Sequence, residues 1–312
     1  MYRKAEVLKR IELRQSTIKD WLNCPLMYRF RHIDKQKPAY RSPAAIHGSA
    51  LHLAIHWWHQ GQLDHNLEAL YESALQESFK RDEDIPIRWK RDEASDLEKM
   101  RGNAHEILLG YTRATENQTC EIIYSETEFR VKVGGYQLSG TIDQLRRNSG
   151  GELDLIDLKS GVQRPPVKAL PNDWQLSLYA YALKFGEVKV NGEWLRPKIQ
   201  VNRTVIYFLR AHEIYKRNSK YGKQGQQKGA PLMTVQKTPW DLIQFRHDLL
   251  NLIKMMTKDW PFPNPNACGY CGYHNLCTNR GLFYASQRLA TVKATMNQWE
   301  GFQVAPTKGV EV

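Results

Sequence analysis

The residues best suited to chemistry lie between Gly140 and Tyr179. Asp143 sits in one apolar run, Asp157 and Lys159 close the next, and Gln175 and Tyr179 follow. Side chains alternate along a strand, so Asp157 and Lys159 project together, while Asp154, Ile156 and Leu158 turn the other way. Two carboxylates and an ammonium on buried-looking strands are costly unless they bind something. A divalent Mg or Mn ion held by Asp143 and Asp157, with Lys159 beside a water or phosphate, would satisfy all three. A plain ion pair between neighbouring strands is the alternative, because D-x-K by itself is common.

These residues need elements to hold them. Leu138–Leu145 and Leu153–Leu158 flank the turn-forming Asn148-Ser149-Gly150-Gly151, which predicts an antiparallel hairpin. A helix over Lys168–Phe185 would put Gln175 and Tyr179 on one face. A buried amide there needs partners, whereas packing alone would explain the tyrosine. Ile46–Gln60 reads as a helix carrying His52 and His56 one turn apart; these are structural histidines unless His52 adds a neutral imidazole to a carboxylate metal site. His52-x3-His56 lacks the glutamate of a zinc-protease motif.

Upstream, helices are predicted from Ser16 through Tyr28, interrupted at Cys24-Pro25, and over Leu67–Lys80 and Arg91–Arg113. Strands begin at Glu121, Val201–Leu209 reads as a buried strand, and Trp240–Trp260 as a helix stopped by Pro261. The expectation is an α/β protein with a mixed sheet flanked by helices. Its layout is a helical region over 1–115, a core over 116–260 and a cysteine-bearing segment over 261–312, interleaved as one domain.

Composition limits the function classes. The 312 residues are 41% hydrophobic with a mean hydropathy of −0.60, which describes a globular chain rather than a disordered one. No apolar run approaches the ~18 residues of a membrane span, and MYRKAEVLKR has no signal-peptide core, so a cytoplasmic protein with no membrane contact is expected. A net charge of +12 favours a polyanionic partner, although membrane surfaces and ribosomes share that preference. Ile214–Ala230 carries Lys216, Arg217, Lys220, Lys223 and Lys228 with no acid. It is either a solvated linker or a flap that touches phosphate.

Five cysteines are an odd number for a disulfide framework. Cys268-x2-Cys271-x5-Cys277 offers three thiolates where zinc or an iron–sulfur cluster normally takes four. Cys24, Cys120 or His274 would have to supply the fourth, and spacing alone does not separate zinc from iron.

Taken in order, Cys24, Gly48-x3-His52, Gly140-Thr141-Ile142-Asp143, Asp157-Leu158-Lys159, Gln175-x3-Tyr179 and Cys268-x2-Cys271-x5-Cys277 resemble the RecB-like branch of the PD-(D/E)XK nucleases. Within that branch they are most similar to the iron–sulfur members, which include the AddB nuclease domain and the CRISPR-associated RecB-like exonucleases. The resemblance runs from Cys24 to Cys277 and implies a restriction-endonuclease-like core. It makes His52, Asp143, Asp157 and the Leu158 carbonyl metal ligands, and Lys159 the residue that orients or activates water. Gln175 and Tyr179 would support the site or touch DNA. Cys24 becomes the fourth ligand of a 4Fe-4S cluster, leaving Cys120 to the core. The chain departs from compact members by extra helix after His52 and by the basic loop.

The function so implied is Mg- or Mn-dependent hydrolysis of DNA phosphodiesters, as an exonuclease on single strands or ends, in recombination, repair or phage DNA processing. The cell would be bacterial or phage-infected. No G-x4-G-K-[ST] motif is present, so a helicase or recombinase would be a separate protein partner. Two rival readings are a non-catalytic nucleic-acid-binding subunit and a zinc-stabilised interaction protein.

Overall fold

The computed structural model describes residues 13–281, apart from 117–119, 162, 165, 215, 217, 219–221 and 257–260. One mixed sheet organises them. Strands β1 (Leu13–Arg14), β2 (Glu121–Val133), β3 (Tyr136–Arg147), β4 (Leu153–Lys159), β5 (Glu187–Val190), β6 (Glu193–Leu195), β7 (Arg203–Phe208) and β8 (Leu232–Val235) pair in the order β6-β5-β2-β3-β4-β7-β8, with β1 alongside β3. β2, β3 and β4 form an antiparallel meander, and β4 pairs with β7 in parallel. The β3–β4 turn is the predicted one. Asn148 Oδ1 accepts from the amides of Gly150 and Glu152 at 3.0 Å each, and Gly151 takes φ +81°, which glycine adopts without strain.

Helices cover both faces. One face carries α3 (Pro43–His59), α4 (Leu67–Lys80) and α5 (Glu93–Glu116), packed on Ile156, Leu158, Val205 and Tyr207. The other carries α6 (Trp174–Phe185) and α7 (Pro239–Met256), packed on Phe129, Val131, Leu145 and Leu155. The split of Leu155 from Ile156 and Leu158 is the alternation expected along β4, and each such buried side chain contributes roughly 1.5–3 kcal/mol.

Two short helices, α1 (Gln15–Asn23) and α2 (Pro25–Tyr28), meet at Cys24. The proline ends one helix and opens the next, because its missing N–H is harmless at a first-turn position. α1 begins one residue before the predicted Ser16 cap, and the Arg14 amide bonds Thr17 Oγ1 at 3.3 Å. The predicted helix over Lys168–Phe185 is two elements, a 3₁₀ turn over Val167–Asn172 and then α6, whose cap is Asp173 accepting from the Leu176 amide at 2.8 Å. The last residues of the predicted Trp240–Trp260 helix lie outside the described residues.

A short C-terminal helix, α8 (His274–Thr278), follows a 3₁₀ turn and packs against the N-terminal end of the described chain. The Leu26 amide donates to the Phe262 carbonyl at 3.2 Å and the Ala39 amide to that of Gly272 at 2.8 Å. Among the described residues, no helix is long and apolar enough to cross a membrane.

Candidate active site and thiol cluster

The meander lines up its acids. Ladder pairs Ser125–Gln144 and Thr127–Ile142 bracket Glu126 opposite Asp143, and one step past the last β3–β4 pair, Gln144–Ile156, Asp143 stands across from Asp157. The ladder ends there because Asp143 replaces it: its Oδ2 accepts from the Leu158 amide at 2.8 Å. Leu158 thus meets the site through its N–H.

Over this row comes α3. A Cβ on Gly48 would fall 2.7 Å from Ser160 Oγ, so the glycine lets the helix approach the end of β4. One turn later, His52 Nδ1 lies 3.3 Å from Glu126 Oε1 and 3.7 Å from Asp143 Oδ2. His52, Glu126 and Asp143 offer ligand atoms that all lie within 4.8 Å of one another. Glu126 holds φ +45° inside a strand, a strained conformation for a non-glycine residue and one that clusters at functional sites.

The electrostatics fit a cation site. Desolvation pushes the Asp143 carboxyl up, against the pull of His52. Burial alone would lower the His52 pKa, but Asp143, Glu126 and Asp157 outweigh it and raise it. Positive charge is therefore favoured among these acids.

Asp157 is fully buried, and desolvation raises its pKa against the opposing charge of Lys159. Lys159 Nζ lies 2.6 Å from Asp157 Oδ2, a charge-assisted contact, while the buried Oδ1 has no hydrogen-bond partner. A buried carboxylate oxygen in this state lacks a partner that a divalent ion would supply. The donor set of one imidazole and several carboxylates suits Mg or Mn.

From Lys159 a polar chain returns to Asp143. Lys159 Nζ donates to Gln175 Oε1 at 2.6 Å, Gln175 Nε2 to Tyr179 Oη at 2.8 Å, and Tyr179 Oη to Asp143 Oδ1 at 3.4 Å. Burial and the neighbouring acids raise the Tyr179 pKa well above its ordinary value, so the phenol remains a donor. Asp154 faces away and holds Arg203 through two bonds of 2.7 and 2.5 Å.

The predicted residues His52, Asp143, Asp157, Lys159, Gln175 and Tyr179 are thus gathered in one place. Glu126 was missed: it is one of three acids in β2, a strand that reads as ordinary alternation, and the available signal was its position across from the Gly-x2-Asp motif. His56 stands apart from the carboxylates and bonds Ser125 Oγ at 2.9 Å.

A second centre lies where the two ends meet. Cys24, Cys268, Cys271 and Cys277 line one small cavity with Leu26, Met27, Phe30, Ala267 and Tyr273, and none is in a disulfide. The Asn264 amide donates to Cys24 Sγ at 3.4 Å. Burial, and then the proximity of the other three thiols, raises the Cys271 pKa. Four thiols converge on this cavity; His274 lines it as well, and Cys120 does not.

In the basic loop, Lys216 pairs with Glu106 and Lys228 with Glu213, whereas Lys223 is exposed. Arg217 and Lys220 lie outside the described residues.

A mixed sheet with helices on both faces and acids at the mouth of its central meander agrees with the family comparison. Residues 12–278 match the PD-(D/E)XK nuclease superfamily, and the chain belongs to it. Two solved structures are similar to the chain at low identity. One is SSO0001, at 12% identity over 88% of this chain and 95% of that one, with a TM-score of 0.33. The other is described as a "Putative exonuclease" from Eubacterium rectale, at 11% identity over 88% and 90%, with a TM-score of 0.42. No curated protein matches the chain.

Proposed function

We propose that this protein is a divalent-metal-dependent deoxyribonuclease of the RecB-like, iron–sulfur type, acting as an exonuclease on single strands or DNA ends. The observation that carries the nuclease reading is the fully buried Asp157 carboxylate, with Oδ2 against Lys159 and Oδ1 without a hydrogen bond, in line with Asp143 and Glu126. A subunit without catalysis would gain stability by losing so costly an arrangement.

His52, Glu126, Asp143 and Asp157 would hold Mg or Mn, with the Leu158 carbonyl as a further oxygen ligand. A bound divalent ion lowers the pKa of water and offsets the charge that gathers on a phosphodiester in the transition state. Lys159 supplies a fixed cation at the attacked phosphate, or orients the attacking water. Gln175 holds the ammonium in place, and Tyr179 donates to Asp143 so that this carboxylate keeps one orientation. Cys24, Cys268, Cys271 and Cys277 would bind a 4Fe-4S cluster that ties the two ends of the fold together, with no part in hydrolysis. The basic loop would add phosphate contacts. A soluble cytoplasmic setting, a helicase or recombinase partner, and a role in recombination, repair or phage DNA processing complete the reading.

The test is hydrolysis of end-labelled single- and double-stranded DNA with Mg, Mn or chelator, using the wild type, Asp157→Ala and Lys159→Ala. Metal-dependent cleavage that falls at least about a hundredfold in both variants, with folding retained, supports the proposal. Near-normal activity in both variants removes the catalytic assignment.

A further inference from the structure

A cavity of roughly 550 Å3 opens directly beside Lys159, within the ~300–1,000 Å3 range of small-ligand sites. None of His52, Glu126, Asp143 and Asp157 lines it; what it shares with the site is the polar edge of Lys159 and Gln175. One wall is the face of α1 that presents Ile18, Lys19 and Leu22, residues three and four apart. The facing wall is Trp174 at the start of α6, with Phe245 of α7 behind it at a ring-centroid distance of 5.6 Å. Leu22 is 41% exposed at the mouth, an apolar side chain left without cover.

The cavity is two-sided in character. Its body is aliphatic and aromatic, while its inner edge carries Lys159 and its rim Lys19. Lys19 is exposed on α1, and desolvation and then the nearby Lys159 ammonium lower its pKa. Asp173, the acid in the lining, is occupied by the cap of α6. A flat apolar body joined to an anionic end is the chemistry of a nucleotide. A base within a duplex is stacked on its faces and paired along one edge, so it cannot enter such a recess without leaving the helix, whereas a base in a single strand can.

Resting on the nuclease reading above, the geometry points to this cavity as the subsite for one unpaired DNA nucleotide next to the scissile phosphate. The base lies against Trp174 and Leu22, and its phosphate lies between Lys19 and Lys159. The subsite makes an unstacked nucleotide a condition of productive binding, which is a physical reason for acting on single strands and frayed ends.

The test uses the full chain and a labelled single-stranded oligonucleotide. A single abasic residue is stepped through the sequence, and affinity is read by anisotropy in chelator, where no cleavage occurs. Stacking on an aromatic side chain contributes enough that one abasic position should weaken wild-type binding about tenfold. Trp174→Phe should keep that position-specific penalty and Trp174→Leu should abolish it. An equal penalty in wild type and Trp174→Leu, or no position with a penalty in wild type, overturns the subsite. The two readings fail separately. A position-specific penalty in a protein that cleaves nothing with Mg or Mn removes the nuclease and keeps the base site; cleavage without the penalty does the reverse.

Discussion

Gln175 and Lys159 are joined by a 2.6 Å hydrogen bond from ammonium to amide oxygen, and the same amide passes the contact on to Tyr179 at 2.8 Å. The glutamine therefore fixes where the lysine points. A hydrogen bond to a charged group contributes about 1.5–3 kcal/mol, which corresponds to roughly 10- to 150-fold in rate if it is needed only in the transition state. Gln175→Ala should lower kcat on that scale while leaving KM and thermal stability close to wild type. A variant changed in KM alone would make Gln175 a DNA contact rather than a positioning residue.

Glu126 completes the group of ligand atoms within 4.8 Å that also contains His52 and Asp143. Glu126→Gln should weaken Mn binding to the DNA-free protein by at least about 10- to 100-fold, a loss of the size seen even for outer partners of a metal site. Titration calorimetry or Mn EPR reads this without reference to cleavage. Unchanged Mn affinity would leave the strained Glu126 backbone without a ligand role.

The cysteine cavity makes a separable prediction. Anaerobically purified Cys24→Ser should lose bound iron and the brown colour and melt at lower temperature, while Cys120→Ser should retain all three properties. Stoichiometric zinc without iron in the unmodified protein would assign the same four residues to a zinc site.

His47 is buried, with Nδ1 2.7 Å from Tyr71 Oη and Nε2 lacking any partner. Burial, and then the Arg210 charge, lowers its pKa to about 4. The unfolded chain therefore binds a proton below about pH 6.5 that the folded chain refuses until about pH 4, so stability falls as pH falls through that window. The His47 contribution to the loss between pH 7 and pH 5 is on the order of 1–2 kcal/mol. Urea unfolding of His47→Gln should show a correspondingly shallower pH dependence; an unchanged slope would place the effect elsewhere.

Lys216 and Lys228 are already paired with Glu106 and Glu213, so the basic loop offers less free charge than its composition suggests. Converting Lys216, Arg217, Lys220, Lys223 and Lys228 to Gln should flatten the slope of log affinity against log salt by less than the ~3.5 of five independent single-strand contacts. Glu106→Gln should steepen it. No change in either variant would leave the loop as a linker.

What could be read in advance follows from the range of the interactions involved. The hairpin, the facing of Asp157 with Lys159 and the Gln175–Tyr179 face are set by alternation and helical spacing, both local properties. The two-residue β1 and the short β5, β6 and β8 carry too little pattern to stand out. Glu126 is distinguished from Glu128 only by which of them the meander places across from Asp143. The pairing of Lys216 with Glu106 joins residues 110 apart in sequence, and no local rule anticipates it.

The packing of residues 262–277 against Cys24, Leu26 and Ala39 has a consequence in time. During synthesis the sheet strands through β4 and helix α6 emerge while α2, made earlier, still lacks the surface that covers it. At ~5–20 residues per second, about 250 residues separate Cys24 from Cys277, a wait on the order of 10–50 s. Over that interval the buried face of Met27 and Phe30 is bare and the Cys24 thiol is open to solvent. The nascent chain is then most exposed at that face to oxidation and to chaperones.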